Sequence, residues 1–171
     1  LRKMIQTLFH RLGIAILVVL LQVFVLNHIN LWGYAIPLLG VMALFYTPLS
    51  VGRISGMLHA FVIGIVLDAF SNTPGVAAGA MTLTAFIQPS LLMAMAPKDA
   101  LTDAVPNKEL LGRHKYFWYI ALLMAVHHLA YFMLEAFTFF NFSILLLRLL
   151  GSYLLSLLLV FTMEMLRSSK S

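Results

Sequence analysis

Asp68, Glu135 and Arg148 are ionisable side chains set in otherwise apolar stretches of this chain. At membrane depth such a group costs a few kcal/mol on insertion scales, so it faces protein or water rather than lipid. His128, Tyr131 and Glu135 follow an i, i+3, i+7 pattern and share one helix face; Arg148, Ser152 and Ser156 recur every fourth residue on the next segment. Two polar stripes on neighbouring helices predict a hydrogen-bonded seam. The simplest pairing within it joins Arg148 to Glu135, with Asp68 the other candidate partner. Three kinds of chemistry are open to this group: a structural ion pair that fixes helix register, a substrate or proton pathway, or contact with a partner's transmembrane helix. His127, His128 and Glu135 are plausible ligand types, but their spacing does not match the His-Glu-x-x-His pattern, and no metal or cofactor site is assigned. Gln22, His59 and Gln88 read as interhelical hydrogen-bonders. No Gly-x-Ser-x-Gly elbow, P-loop or paired-carboxylate motif is present, and a lone Asp68 does not suffice for metal-assisted phosphotransfer. The chain is not expected to be an enzyme.

The elements that position these groups follow from composition. Hydrophobic residues make up 62% of the 171 and charged residues 10%, against about 25% charged in soluble domains. Mean hydropathy is +0.98. This is the make-up of a single polytopic membrane domain over 1–171, with no room for a soluble domain of any size. A formal charge of +5 raises the question of nucleic acid, but the basic residues lie at segment ends, so the expected partner is the lipid bilayer and not nucleic acid. Cysteine is absent, which excludes disulfides, thiolate metal sites and cysteine nucleophiles.

The apolar runs predict an all-α integral membrane protein with six transmembrane helices, at about 12–26, 31–46, 54–70, 75–96, 116–140 and 142–166. The first lacks a small-residue cleavage site and reads as a retained helix. The second is short for a crossing, and Pro37 near its start points to a tilted, thin or partly irregular span. Pro89 predicts a kink late in the fourth. The hydrophilic stretch 97–115 is a charged loop with a short surface helix around 99–105. Ten of the eleven Lys and Arg residues fall at the termini or in the loops after segments two and four, which places both termini in the cytoplasm; Arg148 is the exception. With that topology and a rise of about 1.5 Å per residue, Asp68, Glu135 and Arg148 share a depth in the outer half of the bilayer.

Small residues mark the packing. Gly52, Gly56, Ala60 and Gly64 recur every fourth residue and lead to Asp68, and Gly75 and Gly79 open the following segment. Such spacing lets helix backbones approach closely where lipid is as apolar as leucine. Between the two segments lies the tight polar corner Asn72-Thr73-Pro74-Gly75. With Asp68 it forms a candidate partner-facing surface.

These residues carry a resemblance. FVIGIVLDAFSNTPGVAAGAMTLTAFI, at the centre of a short polytopic chain, resembles the bacterial rod shape-determining protein family MreD, whose Gly-x-x-x-Asp helix end, Thr-Pro-Gly type corner and small-residue helix match Gly64, Asp68, Thr73, Pro74 and Gly75. Gln22 and Pro37 match in kind. The second half, with HHLAYFMLEAF and the later Arg148, is similar to members from the Bacteroidetes branch. Many members carry an acidic residue after the proline matching Pro37, where this chain has Leu38. The resemblance implies a non-enzymatic scaffold of the cell-elongation complex in the bacterial inner (plasma) membrane, working with MreC, the MreB filament, RodA and an elongation-specific transpeptidase. It also implies a bundle like the S-components of energy-coupling-factor transporters. The rival expectation is therefore a substrate-binding subunit of such a transporter. The Ala-x-x-x-Ala type contact those subunits carry in their first helix is not visible here, since Val19 follows Ala15.

Overall fold

A chain that is apolar over most of its length must satisfy its own backbone, and helices do so within one segment. The computed structural model describes residues 2–30, 33–97, 105–136 and 141–168, with side chains from 12 to 166 within those stretches. Its regular elements are all helical: α1 (Arg2–Phe24), a 3-10 turn (Leu26–His28), α2 (Met42–Phe45), α3 (Arg53–Ser71), α4 (Val76–Met95), α5 (Lys108–Leu111), α6 (Arg113–Ala136) and α7 (Phe142–Ser168). Four of them, α3, α4, α6 and α7, are long and apolar enough to cross a membrane, and a shorter apolar helix spans Leu12–His28. This pattern is compatible with a multi-pass membrane protein.

The core and the outward faces divide by residue type. Leu147, Leu150, Leu154 and Leu158 of α7 are exposed, as are Ile54, Leu58, Val62 and Ile65 of α3 and Ile16, Leu17, Leu20 and Phe24 of α1. These faces suit lipid. Inside lie Ala60, Met81, Tyr119, Ile120, Leu123 and Met124, all shielded completely, with Leu92 and Val160. α4 occupies the centre, against α3 on one side and α6 on the other; α7 lies against α6, and α1 against α3.

The expected helix over 31–46 is not one. Residues 36–39 have no regular secondary structure, and helix is confined to the single turn Met42–Phe45. The amides of Ile36 and Leu38 reach serines four residues apart on α7, about 6 Å of helical rise, so the chain runs extended there. Leu31 and Trp32 lie outside the described residues. Pro37 supplies no N–H and disfavours helix in Ile36 before it, and Gly40 follows closely, so the local sequence cannot nucleate a longer helix. The stretch is nonetheless buried: Leu39, Val41, Leu44 and Phe45 are among the most enclosed side chains in the molecule. Among the described residues the third to sixth segments agree with the sequence reading to within a few residues, Pro89 falling inside a continuous α4, whereas α1 begins at Arg2, ten residues before the expected start. The expected surface helix at 99–105 falls almost wholly outside the described residues; the helix observed in that loop is α5, capped by the Asn107 side chain accepting from Leu110 N–H at 2.7 Å.

The small-residue ridge works at one end only. At Gly64 a Cβ would lie 2.4 Å from Ala78 Cα, so α3 and α4 touch backbone to backbone there, with Ala60 fully buried one turn earlier. At Gly52, Gly56 and Gly75 a Cβ would meet nothing within 4 Å, so no close backbone approach is made there, although Gly56 is itself buried. Gly52 and Gly75 serve instead as the residues before α3 and α4, with φ of 24° and 85°. Gly79 packs not on α3 but on α6, where its Cβ would come 2.8 Å from Leu134.

Candidate functional site

Asp68 is 6% exposed and points inward. Its backbone carbonyl accepts the N–H groups of Asn72 and Thr73 and so closes α3, with Asn72 in the left-handed region at φ 54°. Its carboxylate opens α4. Oδ1 accepts from Ala77 N–H at 2.8 Å and the Thr73 hydroxyl at 2.9 Å; Oδ2 accepts from Ala78 N–H at 2.9 Å and Gly75 N–H at 3.1 Å. The Val76 N–H goes to the Thr73 carbonyl at 3.1 Å. Every amide that the first turn of α4 leaves without a helical partner is thereby satisfied. The negative charge sits where the helix dipole favours an anion. This corrects two expectations: Asp68 does not pair with Arg148, and it offers no free carboxylate to a partner. Asn72, Pro74 and Gly75 are the exposed members of the corner.

Arg148 pairs with Glu135, Nη2 to Oε1 at 2.9 Å, and its guanidinium lies 5.5 Å from the Phe132 ring centre. Next along α7, Gly151 allows Ala35 to approach, and Ser152 accepts the Ile36 N–H at 3.0 Å. Ser156 accepts the Leu38 N–H at 2.8 Å and contacts His128 Nε2 at 3.0 Å. His128 Nδ1 faces the Met124 carbonyl at 2.8 Å. A carbonyl only accepts, so Nδ1 carries the proton and the Ser156 hydroxyl donates to Nε2. Both serines and His128 are fully buried. The two expected stripes do meet, but between them they also hold the extended stretch at 36–39. Gln22 completes that hold from α1: its Oε1 accepts from Leu39 N–H at 2.7 Å and its Nε2 donates to the Pro37 carbonyl at 2.9 Å.

The α7 stripe runs further than the sequence reading carried it. Arg148, Ser152, Ser156, Val160 and Glu164 recur at every fourth residue, the last four buried. Glu164 accepts a hydrogen bond from the Tyr46 hydroxyl and pairs with Lys108 at 3.6 Å; Lys108 also donates to the Glu164 carbonyl at 3.0 Å. Glu164 was not among the expected site residues. The signal was present, as a lone acid one period beyond Ser156 and Val160.

Between α1, the extended stretch, α3, α4 and α6 lies a cavity of about 390 Å³. Gln22, Asn27, Thr73, His127, Tyr131 and Glu135 contribute its polar wall. Tyr131 is thus placed here, in the same wall as Thr73, rather than in the serine seam. Most of the wall is self-satisfied: Gln22 donates to Asn27 Oδ1 at 2.9 Å, and Asn27 donates to the Ser71 hydroxyl at 2.8 Å. Two atoms are not. His127 Nδ1 and Glu135 Oε2 are shut off from solvent and have no hydrogen-bond partner among the described residues. Among those residues no cluster of His, Cys, Asp and Glu is arranged to hold a metal ion.

Comparison of the chain with protein-family models, with curated proteins and with solved structures gives no match.

Proposed function

We propose that this chain is a non-enzymatic membrane scaffold of the MreD type, which recruits or stabilises MreC and through it the peptidoglycan-synthesis enzymes of the elongation complex. The observation that carries the reading is that Gly64, Asp68, Thr73, Pro74 and Gly75, the residues of the resemblance, act as one unit. Gly64 brings α3 against α4, and Asp68 with Thr73 turns one helix into the next. A motif that builds a corner is a motif of architecture. It leaves Asn72, Pro74 and Gly75 outside as the surface a partner's juxtamembrane helix would meet.

In this reading the chain crosses the bacterial inner membrane six times with both termini in the cytoplasm. The stretch at 36–46 counts as a crossing although only its single turn Met42–Phe45 is helical. It contacts Ser152, Ser156 and Glu164 in turn, a run of roughly 18 Å along α7 at helical rise. Arg53, Lys108, Arg113 and Lys115 gather at the end where α3 and α6 begin, as cytoplasmic ends require. Asp68, the corner and the cavity are then periplasmic-side features.

The test is depletion of the protein in its rod-shaped host, scoring cell shape and recovery of MreC from detergent with the tagged chain. Rounded cells together with recovered MreC are expected. The cavity favours one other reading, the substrate-binding subunit of a transporter; rod-shaped cells with a solute-dependent growth defect would establish that reading and overturn the scaffold.

A further inference from the structure

Arg53, the first residue of α3, is exposed among Ile54, Leu58, Phe86 and Met93, which are themselves exposed and apolar. Its level in the bundle follows from the helix register. Gly64 meets Ala78; eleven residues back along α3 stands Arg53, and eleven forward along α4 stands Pro89. α4 then runs on for six residues to Met95, about 9 Å at helical rise. An arginine at a helix end in a bilayer ordinarily snorkels, laying its stem on apolar surface and carrying its charge to water. Arg53 does not. Its Nη2 donates to the Ser90 hydroxyl at 2.9 Å, and its guanidinium carbon lies 4.9 Å from the centre of the Phe86 ring, one turn further from the Met95 end than Ser90. The charge is thereby laid across α4, with the exposed apolar residues Met93 and Ala94 between it and the end of that helix.

A guanidinium in that setting needs an anion, and the described residues supply none. Glu135 is taken by Arg148 and Glu164 by Lys108; Asp68 is spent on backbone amides at the far end of α3; and Glu109, exposed on α5, forms no ion pair with it. Asp99 and Asp103 lie outside the described residues. Lys115, which donates to the Met95 carbonyl at 3.5 Å, and His114 beside it in sequence add positive charge to this end or none. The donors, by contrast, are in place. An arginine carries five N–H groups in a planar fork, of which Ser90 takes one, and the Ser90 hydroxyl, accepting there, keeps its own proton to donate. Such a fork suits phosphate. A soluble anion would have to leave water for an apolar surface, whereas a phospholipid brings its phosphate with acyl chains that match Leu58, Leu83 and Phe86. No carboxylate among the described residues stands beside Arg53 to receive the ammonium of a zwitterionic headgroup, which selects a lipid of net negative charge. We infer that Arg53 and Ser90 bind the phosphate of an anionic phospholipid whose chains lie along the exposed face of α3 and α4. The inference rests on α3 and α4 crossing the bilayer and not on the scaffold reading.

The test uses the full chain. Extraction of membranes with alkaline carbonate checks the crossing first; release of the chain would overturn the crossing and the inference with it. The chain is then purified into discs of mixed phosphatidylglycerol and phosphatidylcholine with matched acyl chains, and retained lipid is read by native mass spectrometry. Retention of phosphatidylglycerol over phosphatidylcholine is expected, and Arg53→Gln is expected to cut that preference about fivefold. Arg53→Lys keeps the charge but loses the fork, so its preference should fall between the two. Ser90→Ala, at an exposed position, removes only a hydroxyl and lowers the preference in the same direction, which keeps the inference testable if the arginine variants fold poorly. Lys115→Gln removes a positive charge at the same end and is expected to leave the preference unchanged. Three results would overturn the inference: no preference in the wild type, an undiminished preference in Arg53→Gln, or equal losses from Arg53→Gln and Lys115→Gln. The last would show a general attraction of the basic end in place of a site.

Discussion

The α3–α4 corner and the stretch at 36–39 both take the backbone out of helical geometry among apolar surroundings, and the two are solved differently. At the α3–α4 corner one carboxylate takes three amides and a hydroxyl, all from residues within ten positions of it. At 36–39 three neutral side chains, Gln22, Ser152 and Ser156, take the amides of Ile36, Leu38 and Leu39 and the carbonyl of Pro37, reaching across as many as 118 positions. Charge-assisted hydrogen bonds are roughly twice as strong as neutral ones. The corner therefore concentrates its stability in one residue, whereas the extended stretch spreads it over three side chains on two helices. The first arrangement makes a rigid local joint. The second ties together parts of the chain that would otherwise have no reason to meet.

The sharpest way to break the contrast is Asp68→Ala. It leaves the amides of Gly75, Ala77 and Ala78 without a protein acceptor. At about 1–3 kcal/mol for each unsatisfied donor, discounted because water reaches part of the corner, the expected loss is about 3–5 kcal/mol. Equilibrium unfolding in mixed detergent micelles measures it. Asp68→Asn keeps one oxygen acceptor and is expected to recover roughly half of that loss. If Asp68→Ala unfolds like the wild type, the carboxylate does not carry the corner, and the difference between the two regions disappears.

Gln22→Leu attacks the second region with a smaller blow. It keeps the bulk of the side chain and the helical preference of α1, but strands the Leu39 amide and the Pro37 carbonyl. The expected loss is about 2–3 kcal/mol. Because Gln22 bridges α1 to a stretch that α7 also holds, hydrogen exchange is expected to rise at Leu38 and Leu39 and not at Ala77 and Ala78. A uniform rise across both regions would show that they unfold as one unit.

The same contrast explains what could be read from the chain beforehand. The corner is local, and its parts lie side by side in the sequence: a proline and a glycine for the turn, an aspartate one helical turn back, and small residues where helices touch. The close approach at Gly64 and the Glu135–Arg148 pair were legible for a similar reason, since helical periodicity predicts which side chains share a face. What Asp68 bonds was not legible, because a carboxylate near a helix end serves a partner, an ion pair or a neighbouring amide equally well on paper. The extended stretch was the least legible part. An apolar run of that length reads as a span, and the side chains that make a non-helical path tolerable lie far away in sequence, on α1 and α7. Glu164 continues the α7 period unbroken from Ser152 through Ser156 and Val160, but its partners Tyr46 and Lys108 lie far away in sequence.

The finest distinction lies between the two serines. Ser152 and Ser156 occupy equivalent positions one turn apart on α7, both fully buried, yet their loads differ. Ser152 accepts one amide, that of Ile36. Ser156 accepts the Leu38 amide and also donates to His128, whose other nitrogen is committed to the Met124 carbonyl. Removing the hydroxyl at Ser152 strands one group, for about 1 kcal/mol; at Ser156 it strands an amide and an imidazole nitrogen, for about 2 kcal/mol. The inequality is what matters. Replacing His128 by Phe first should shrink the Ser156→Ala cost towards that of Ser152→Ala, because the histidine no longer needs the hydroxyl. Equal costs for the two serines in the wild-type background would mean that His128 takes no support from α7, and the extended stretch would then be held by its amides alone.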